Sequence, residues 1–262
     1  MSSILAFPDD LATQFGPYLP PANTDDLPSV TLTFASSLDS ALSLAPGTQT
    51  LLSGPLTKAM THYIRTFHSA ILVGASTAIS DDPGLNSRLE GAKRQPIPIV
   101  LDPNARWGIT ESSRVVQTAK QGKGHAPFII ISSNRWDDEV VVERRNMLQK
   151  YGGGYIGIDV DNLGRFKWED ILSRLRQELR IESLMVEGGA NVINSLLEDE
   201  KSRGFVDNVI ITIAPTWLGK GGVVVSPERR PNGEGQYTPP RLKEVKWIPM
   251  GDDVVLCGKL HP

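Results

Sequence analysis

The stretch SLMVEGGANVINSLL, residues 183–197, decides the fold because it predicts a strand, a tight glycine turn and a helix in succession. Two glycines at the turn let a phosphate approach the free N–H groups that open a helix. The stretch lacks the full G-x-G-x-x-G pattern, so it is weak evidence for a standard Rossmann site. Glu187 ends the strand, where a carboxylate is costly to bury unless it is paired or bound to a ligand. A plain turn with a solvated Glu187 is the alternative.

The same alternation of short apolar strands and helices runs outward from this stretch in both directions. It predicts the α/β class, with a largely parallel central sheet flanked by helices. The clearest helix has apolar residues at helical spacing with Arg and Glu between them. The predicted strands are 30–35, 70–73, 98–101, 128–131, 155–159, 183–186, 206–213 and 254–257, and the predicted helices are 57–67, 137–151, 168–181 and 191–197.

No linker divides the chain, so a single domain is predicted for residues 30–262. Five prolines lie in the preceding arm, residues 1–29, and proline disrupts the interior of helices and the hydrogen bonding of sheets. We therefore expect the arm to be poorly ordered or draped over the surface. Residues 219–246 are rich in Gly, Pro and charged residues and are expected to form a long surface loop.

Composition excludes several classes of function. The chain has 27 Lys and Arg residues against 30 Asp and Glu, a net charge of −3, so no bulk positive field exists to hold nucleic acid or an anionic membrane. The longest apolar runs are far too short to span a bilayer, and residues 1–10 do not resemble a signal peptide, so a cytoplasmic location is expected. Cys257 is the single cysteine, which excludes an internal disulfide and multi-cysteine zinc sites.

Ligands in open α/β sheets bind beyond the carboxyl ends of the strands, and polar loops follow three of the predicted strands there. Besides the Glu187 loop, Thr77 could donate its hydroxyl to a phosphate, and Asp81 and Asp82 follow it before a proline. An ordinary Asp-Pro turn is the alternative interpretation of that loop. Residues 36–40 form the third loop, which alone is only a polar turn.

Arg65 and Arg88 could bind a substrate phosphate, because a guanidinium can donate two parallel hydrogen bonds to phosphate oxygens. The alternative is that both are solvated, as most arginines are. No Ser-His-Asp order, H-E-x-x-H motif or Walker loop occurs, and none of the histidines has ligand-like spacing. The polar loops and these two arginines are therefore the candidate functional residues, and no metal is expected.

Taken together, these loops resemble a known family. The motifs LSGP at 52–55, AILVG at 70–74, DDPGLN at 81–86, PIVLD at 98–102 and VEGGA at 186–190 resemble those of the riboflavin-pathway reductases, in the free-standing fungal and archaeal form. The resemblance covers about residues 30–225 and rests on several ordered motifs rather than on one loop. In bacteria the same domain is usually fused to a zinc deaminase, an activity that a chain with one cysteine should lack.

The resemblance implies a dihydrofolate-reductase-like α/β fold, an NADPH cofactor with NADH as the alternative, and a homodimer. It implies reduction of a small pyrimidine ribosyl phosphate, 2,5-diamino-6-ribosylamino-4(3H)-pyrimidinone 5′-phosphate, to the ribitylamino compound. The expected chemistry is hydride delivery to C1′ of the ribose once the ribosylamine opens to an imine. Glu187 and Asp81 are the candidate catalytic residues for the accompanying proton, which substrate or water could relay instead.

The resemblance also implies a set of binding residues at the ends of the strands. Chemistry alone adds Arg106 and Ser132 as candidates for contact with a 2′-phosphate on the adenosine of the cofactor. The implied cofactor contacts are Thr77, Asp81, Asp102, Pro103, Ile156, Gly188, Gly189, Ala190 and Asn191, and the implied substrate contacts are Gln49, Arg65, Leu85, Arg88 and Glu187.

Two positions depart from the family pattern. The family often has Asp where Ser69 stands, and Gly followed by a basic residue where Ser40 and Ala41 stand. The second departure argues against a mechanism that needs a fixed cation at that loop. Two alternatives stay open: a reductase of the same fold that acts on another pteridine-like or nucleotide substrate, and a nucleotide-binding protein that has lost turnover.

Overall fold

A nine-stranded sheet forms the centre of the molecule in the computed structural model, which describes residues 4–21, 26–229, 235–236 and 239–260. The strands are β1 Ser29–Ser36, β2 Ala41–Ser43, β3 Ala70–Gly74, β4 Ile97–Leu101, β5 Phe128–Ser132, β6 Gly154–Ile158, β7 Ser183–Gly188, β8 Val206–Ile213, β9 Val223–Val224, β10 Leu242–Met250 and β11 Asp253–Leu260. The helices are α1 Asp9–Ala12, α2 Pro55–Arg65, α3 Ala75–Asp81, α4 Arg114–Lys120, α5 Glu139–Gln149, α6 Trp168–Leu179, α7 Ala190–Leu197 and α8 Glu200–Arg203, with 3₁₀ helices at Thr13–Tyr18 and Ser133–Arg135.

The strand order across the sheet is β10-β11-β8-β1-β7-β3-β4-β5-β6, and the strands from β8 to β6 run parallel. Strand β11 pairs antiparallel with β8 on one side and with β10 on the other. The parallel strands carry continuous apolar runs because helices cover both faces of such a sheet. The predicted α/β class, with a largely parallel sheet flanked by helices, is confirmed.

The chain leaves the middle of this sheet and later returns to it. It passes from β1 to β3, builds outward to β6, and then inserts β7 between β1 and β3. In β7, Leu184 packs in the core cluster that includes α6 and α7, whereas Met185 packs against Met60 and Ile64 of α2. Because side chains alternate along a strand, Glu187 lies on the α2 face as well. The topology thus places a carboxylate where the strand order reverses, which is the usual ligand crevice of such sheets.

The structure corrects the expectation of a long loop over residues 219–246. The last part of that range belongs to β10, which begins at Leu242, and an earlier part, β9, pairs with β2. Most side chains of β10 face solvent, so the strand lacks the apolar run that marks a buried strand in a sequence. Residues 230–234 and 237–238 of the expected loop lie outside the described residues.

The described part of the N-terminal segment packs against the rest of the molecule. The side chains of Phe15 and Tyr18 are buried in a core cluster with Met60 and Ile64 of α2. These apolar side chains fix the segment although prolines interrupt its regular structure. Residues 1–3 and 22–25 lie outside the described residues, and the division of the chain at residue 30 stays a prediction.

Neither a membrane helix nor a metal cluster occurs in the part of the chain that the structure describes. No helix there is both long enough and apolar enough to cross a membrane, and no group of three or more His, Cys, Asp or Glu side chains could hold a metal ion. Cys257 is buried, and burial raises the pKa of its thiol to about 12. The cysteine is therefore a core residue that stays protonated at neutral pH.

Candidate active site

Two glycine-containing turns meet at the carboxyl edge of the sheet, where β3 and β7 both end. Gly74 closes β3 and Gly189 follows β7, and a Cβ atom added to Gly189 would lie 3.0 Å from the hydroxyl oxygen of Thr77. A Cβ atom added to Gly74 would lie 3.0 Å from a methyl group of Val192 in α7. The two turns are therefore in contact, and a larger residue at either glycine would force a neighbour to move.

Helix α7 begins at this contact, and no side chain of the described residues caps its first N–H groups. Gly189 is the extended N-cap residue, and Gly188 before it has a φ of +115°, which L-residues rarely adopt. Ala190 and Asn191 open the helix, and uncapped N–H groups at a helix start attract anions. The hydroxyl of Thr77 adds a further donor, so the donors at this contact fit a phosphate group.

Asp81 ends α3, one helical turn beyond Thr77 and on the same face of the helix. The Ser80 hydroxyl donates to its Oδ1 atom at 2.7 Å. No hydrogen bond or ion pair joins Asp81 to Glu187 within the described residues. The two carboxylates predicted to be catalytic are therefore separate groups in this structure.

Arg65 and Glu187 form a two-point ion pair beside the glycine turns. Arg65 Nε donates to Glu187 Oε1 and Arg65 Nη2 donates to Glu187 Oε2, both at 2.7 Å, and the two side chains are 13% and 14% exposed. The remaining guanidinium nitrogen, Nη1, donates to the carbonyl of Asn86 at 2.8 Å. Since every nitrogen of the guanidinium donates, Arg65 holds the Glu187 carboxylate in place and ties α2 to β7 and to the 82–96 loop.

Arg88 lies against the ring of His62, which is one turn before Arg65 on α2. The backbone N–H of Arg88 donates to His62 Nδ1 at 3.0 Å, so the proton of the neutral ring is on Nε2. Arg88 Nη2 lies 3.0 Å from that Nε2 atom, and two donors then face each other. The guanidinium therefore lacks an acceptor at this contact, and no carboxylate pairs with it in the described part of the chain.

The surroundings of His62 are cationic. Burial lowers the pKa of His62 to about 2, and the charges of Arg65 and Arg88 contribute to the decrease. Burial also lowers the pKa of the Arg88 guanidinium, with contributions from Arg65 and Arg114. Such a field favours an incoming anion and keeps His62 neutral at physiological pH. An arginine without an acceptor in this field is well suited to bind a phosphate.

The other residues predicted to bind the cofactor differ in burial. Asp102, after β4, is buried, and its Oδ2 atom accepts the Trp107 N–H at 2.7 Å, while its buried Oδ1 atom has no hydrogen-bond partner among the described residues. Ile156, in β6, is buried in the core cluster that includes α6. Both side chains face inward, whereas Pro103 is partly exposed. Of these three residues, Pro103 is the one that a ligand can reach directly.

The predicted substrate residues fall into two groups. Arg65, Arg88 and Glu187 lie near one another, linked through α2 and the 82–96 loop. Leu85 is buried in the same loop with a φ of +48°. Gln49 is exposed between β2 and α2, and no hydrogen bond joins it to the others among the described residues.

The two candidates for contact with a 2′-phosphate also differ. Arg106 is exposed after β4, and its Nη2 atom lies 3.5 Å from Ser76 Oγ in the first turn of α3. Ser132 is buried at the end of β5. Arg106 therefore lies next to the turn that carries Thr77 and is open to solvent, which favours it over Ser132.

Sequence reasoning places Asp39 in a polar turn at this edge of the sheet but misses that its carboxylate joins two loops. Asp39, after β1, accepts the N–H groups of Leu218 at 3.1 Å and Gly219 at 2.7 Å. The Ser37 hydroxyl and these N–H groups lower the pKa of Asp39 to about 2. In the sequence the residues around Asp39 form an ordinary polar turn, and no local signal identifies a partner near residue 218.

The fold and this crevice define an α/β protein with a contact between two glycine turns, whose donors suit a phosphate, and a cationic pocket beside it. The family described as the RibD C-terminal domain matches residues 28–256, and the chain belongs to this family. The family-level resemblance to the riboflavin-pathway reductases is thereby confirmed.

Relatives match along nearly the whole chain. Proteins named 2,5-diamino-6-ribosylamino-4(3H)-pyrimidinone 5′-phosphate reductase are 40% identical in Debaryomyces hansenii and 38% identical in Eremothecium gossypii, each match covering 98% of this chain and 99% of the relative. A solved structure of a riboflavin biosynthesis reductase from Saccharomyces cerevisiae aligns with a TM-score of 0.76 at 33% identity, over 96% of this chain and 100% of that chain.

Proposed function

We propose that this chain uses NADPH to reduce 2,5-diamino-6-ribosylamino-4(3H)-pyrimidinone 5′-phosphate to the ribitylamino product, an oxidoreduction of the CH–OH type. The names of relatives that match nearly the whole chain support the substrate. The observation that carries the proposal is the pair of adjoining sites. Donors suited to a diphosphate lie at Thr77 and Gly189, and a cationic pocket for a substrate phosphate lies at Arg88.

The glycine turns are suited to the diphosphate of a nicotinamide dinucleotide. The N–H groups of Ala190 and Asn191 and the Thr77 hydroxyl would hold its oxygens. When bound, NADPH supplies the hydride that C1′ of the substrate receives. Arg106, beside the first turn of α3, would bind the adenosine 2′-phosphate and so favour NADPH over NADH.

The two arginines take different roles in this proposal. Arg88 would bind the 5′-phosphate, because its guanidinium has no acceptor within the described residues. Arg65 would act through Glu187, since all of its nitrogens already donate to Glu187 and Asn86. This division differs from the expectation that both arginines bind phosphate.

The Glu187 carboxylate is suited to orient the substrate. Arg65 fixes its plane, and each oxygen keeps a lone pair that can accept a hydrogen bond from a ribose hydroxyl. When hydride adds to C1′ of the open imine, a proton must reach the imine nitrogen. Asp81, partly exposed at the end of α3, or a water molecule would deliver it.

Turnover with defined substrates tests the proposal. The purified protein should oxidise NADPH when the diaminopyrimidine phosphate is added, and mass spectrometry should show a product that has gained two hydrogens. Dihydrofolate serves as the control substrate for another reductase of this fold. Consumption of NADPH with dihydrofolate alone would favour that alternative, and NADPH binding without oxidation would favour a protein that has lost turnover.

We extend the proposal to a homodimer that acts in the cytoplasm, as the family resemblance implies. Light scattering on the purified protein at several concentrations gives the mass of the particle in solution. Fluorescence microscopy of the tagged chain gives its location in the cell. A monomer at all concentrations, or fluorescence confined to an organelle, would contradict the respective part.

A further inference from the structure

The backbone of Leu5 pairs with the loop that carries Arg88. The Leu5 N–H donates to the Arg88 carbonyl at 3.0 Å, and the Glu90 N–H donates to the Leu5 carbonyl at 2.7 Å. Together they make an isolated parallel bridge between Leu5 and Leu89. The 82–96 loop contains no helix or named strand, so contacts of this kind decide where Arg88 lies.

An aromatic cluster anchors this segment to α2. The ring of Phe7 lies 5.0 Å from the ring of Tyr63 and 6.1 Å from the ring of Phe15, which is fully buried. At the other end, the Tyr18 hydroxyl donates to the Glu244 carbonyl in β10 at 2.6 Å. The segment from Leu5 to Tyr18 is thus fixed both to α2, which carries His62, and to β10.

Arg88 is consequently held on both sides of its backbone. Its N–H donates to His62 on α2, and its carbonyl accepts from Leu5. The guanidinium, in contrast, has no acceptor in the described part of the chain. A fixed backbone with an unpaired head group is preorganised for an anion, because fewer atoms must be ordered when the anion binds.

We infer that Leu5, anchored by the aromatic residues that follow it, is a positioning residue for substrate binding, which holds Arg88 where it meets the phosphate of the substrate. The inference rests on the proposed function, because it takes Arg88 as the phosphate ligand. Leu5 does not touch the substrate in this account and acts only through the backbone of Arg88. A displacement of the loop would therefore weaken substrate binding and leave the glycine turns unaffected.

Leu5→Pro tests the inference because proline removes the N–H that the Arg88 carbonyl accepts. We expect KM for the pyrimidine substrate to rise about tenfold, with kcat and the Kd for NADPH unchanged, since only uniform substrate binding is lost. Inhibition by inorganic phosphate should weaken by a similar factor. Ala6→Pro is the matched control, because the Ala6 N–H makes no hydrogen bond among the described residues, and it should leave KM unchanged.

Arg88→Ala separates this inference from the proposed function. A wild-type KM in Arg88→Ala would show that Arg88 does not bind the phosphate, and the inference would be wrong with it. A raised KM in Arg88→Ala together with a wild-type KM in folded Leu5→Pro would overturn the inference alone. If wild-type protein does not turn over this substrate, the proposed function is wrong, and the calorimetric affinity for inorganic phosphate still decides whether Leu5→Pro differs from Ala6→Pro.

A second variant covers the case in which Leu5→Pro does not fold. A chain lacking residues 1–6 removes the bridge but keeps the aromatic anchor of Phe7 and Phe15. The inference requires the same rise in KM for this chain, at an unfolding midpoint close to that of the wild type. A wild-type KM here would contradict it.

Discussion

The contact between the glycine turns and the pocket around Arg88 serve one crevice but are built by opposite means. The contact consists of backbone N–H groups and the hydroxyl of Thr77, which are neutral groups held by close approach. The pocket consists of charged side chains, with the paired Arg65 and Glu187 beside Arg88, whose guanidinium has no acceptor among the residues that the structure describes. The contact therefore depends on shape, and the pocket depends on the balance of charge.

Breaking the ion pair is expected to have the largest effect, and it should fall on the pocket. Arg65→Ala leaves the Glu187 carboxylate largely buried without its partner, so we expect the free energy of unfolding to fall by about 3–5 kcal/mol. Turnover should be lost as well, while NADPH binding to the remaining folded protein persists. Urea unfolding and steady-state kinetics measure the two effects.

The double variant Arg65→Met with Glu187→Leu is the control for this prediction. Apolar residues of similar size can replace a buried ion pair at little cost, so stability should largely return. Activity should not return, because no carboxylate then faces the substrate. Recovery of turnover in the double variant would mean that the pair is purely structural.

Acid is expected to weaken the helix that carries the pocket. His68 follows α2, where Nδ1 lies 2.9 Å from the Ile64 carbonyl and Nε2 lies 2.9 Å from the Thr31 hydroxyl, and burial lowers its pKa from 6.5 to about 4. The unfolded chain thus binds more protons than the native chain between these values. The contribution of neutral His68 to the free energy of unfolding is complete above pH 6.5. As pH falls toward 4, about 3 kcal/mol of this stability is lost.

Chemical unfolding at a series of pH values measures this loss. His68→Gln is the matched variant, because an amide can occupy the same site without titrating. It should show a smaller decrease in the free energy of unfolding between pH 6.5 and pH 4. Equal slopes for the two proteins would rule out His68 as the cause.

A change of shape should affect the glycine contact instead. Gly188→Ala forces a Cβ atom into a backbone with a φ of +115°, which costs about 2 kcal/mol, and we expect NADPH affinity to fall at least about tenfold. Gly152→Ala is the control, since Gly152 also has a positive φ, of +78°, but no neighbouring atom within 4 Å of the added Cβ. Calorimetric titration should show a loss of NADPH affinity in Gly188→Ala alone. Equal affinities of the two variants would show that the contact between the glycine turns is not part of the cofactor site.

The smallest effect on cofactor affinity is expected from Arg106, at the edge of the contact between the glycine turns. Arg106→Ala removes an exposed guanidinium, so affinity for NADPH should fall about tenfold while affinity for NADH is unchanged. Ser132→Ala, at the competing candidate, should alter neither affinity because Ser132 is buried. A parallel loss for both cofactors in Arg106→Ala would argue against recognition of the 2′-phosphate.

The glycine contact could be predicted from the sequence because its requirements are local. A strand, two glycines and a helix at 183–197 specify a turn with free N–H groups whatever the rest of the chain does. The parallel sheet was predictable for a similar reason, since its strands are short apolar runs. Strand β10 was not predictable in this way, because the charged residues Lys243, Glu244 and Lys246 interrupt its apolar residues.

The pocket could be predicted only in part. The sequence indicates Arg65 and Glu187 singly, by their chemistry and by resemblance, but their pairing depends on the insertion of β7 between distant strands, which no local pattern encodes. His62 was given no role, because its partner Arg88 lies in a loop whose path depends on tertiary contacts. Side-chain networks of this kind combine residues from several elements, so their parts are visible in a sequence but their arrangement is not.

Asp253, at the start of the last strand, fixes the helix that carries Arg65. Its Oδ2 atom accepts the Gly54 N–H at 2.8 Å and the Thr57 hydroxyl at 2.5 Å, where α2 begins. During translation α2 leaves the ribosome long before β11 does, so the helix is without this anchor until β11 has emerged. A nascent chain can therefore form most of its parallel sheet early, but a premature stop before Asp253 would leave the pocket unfinished.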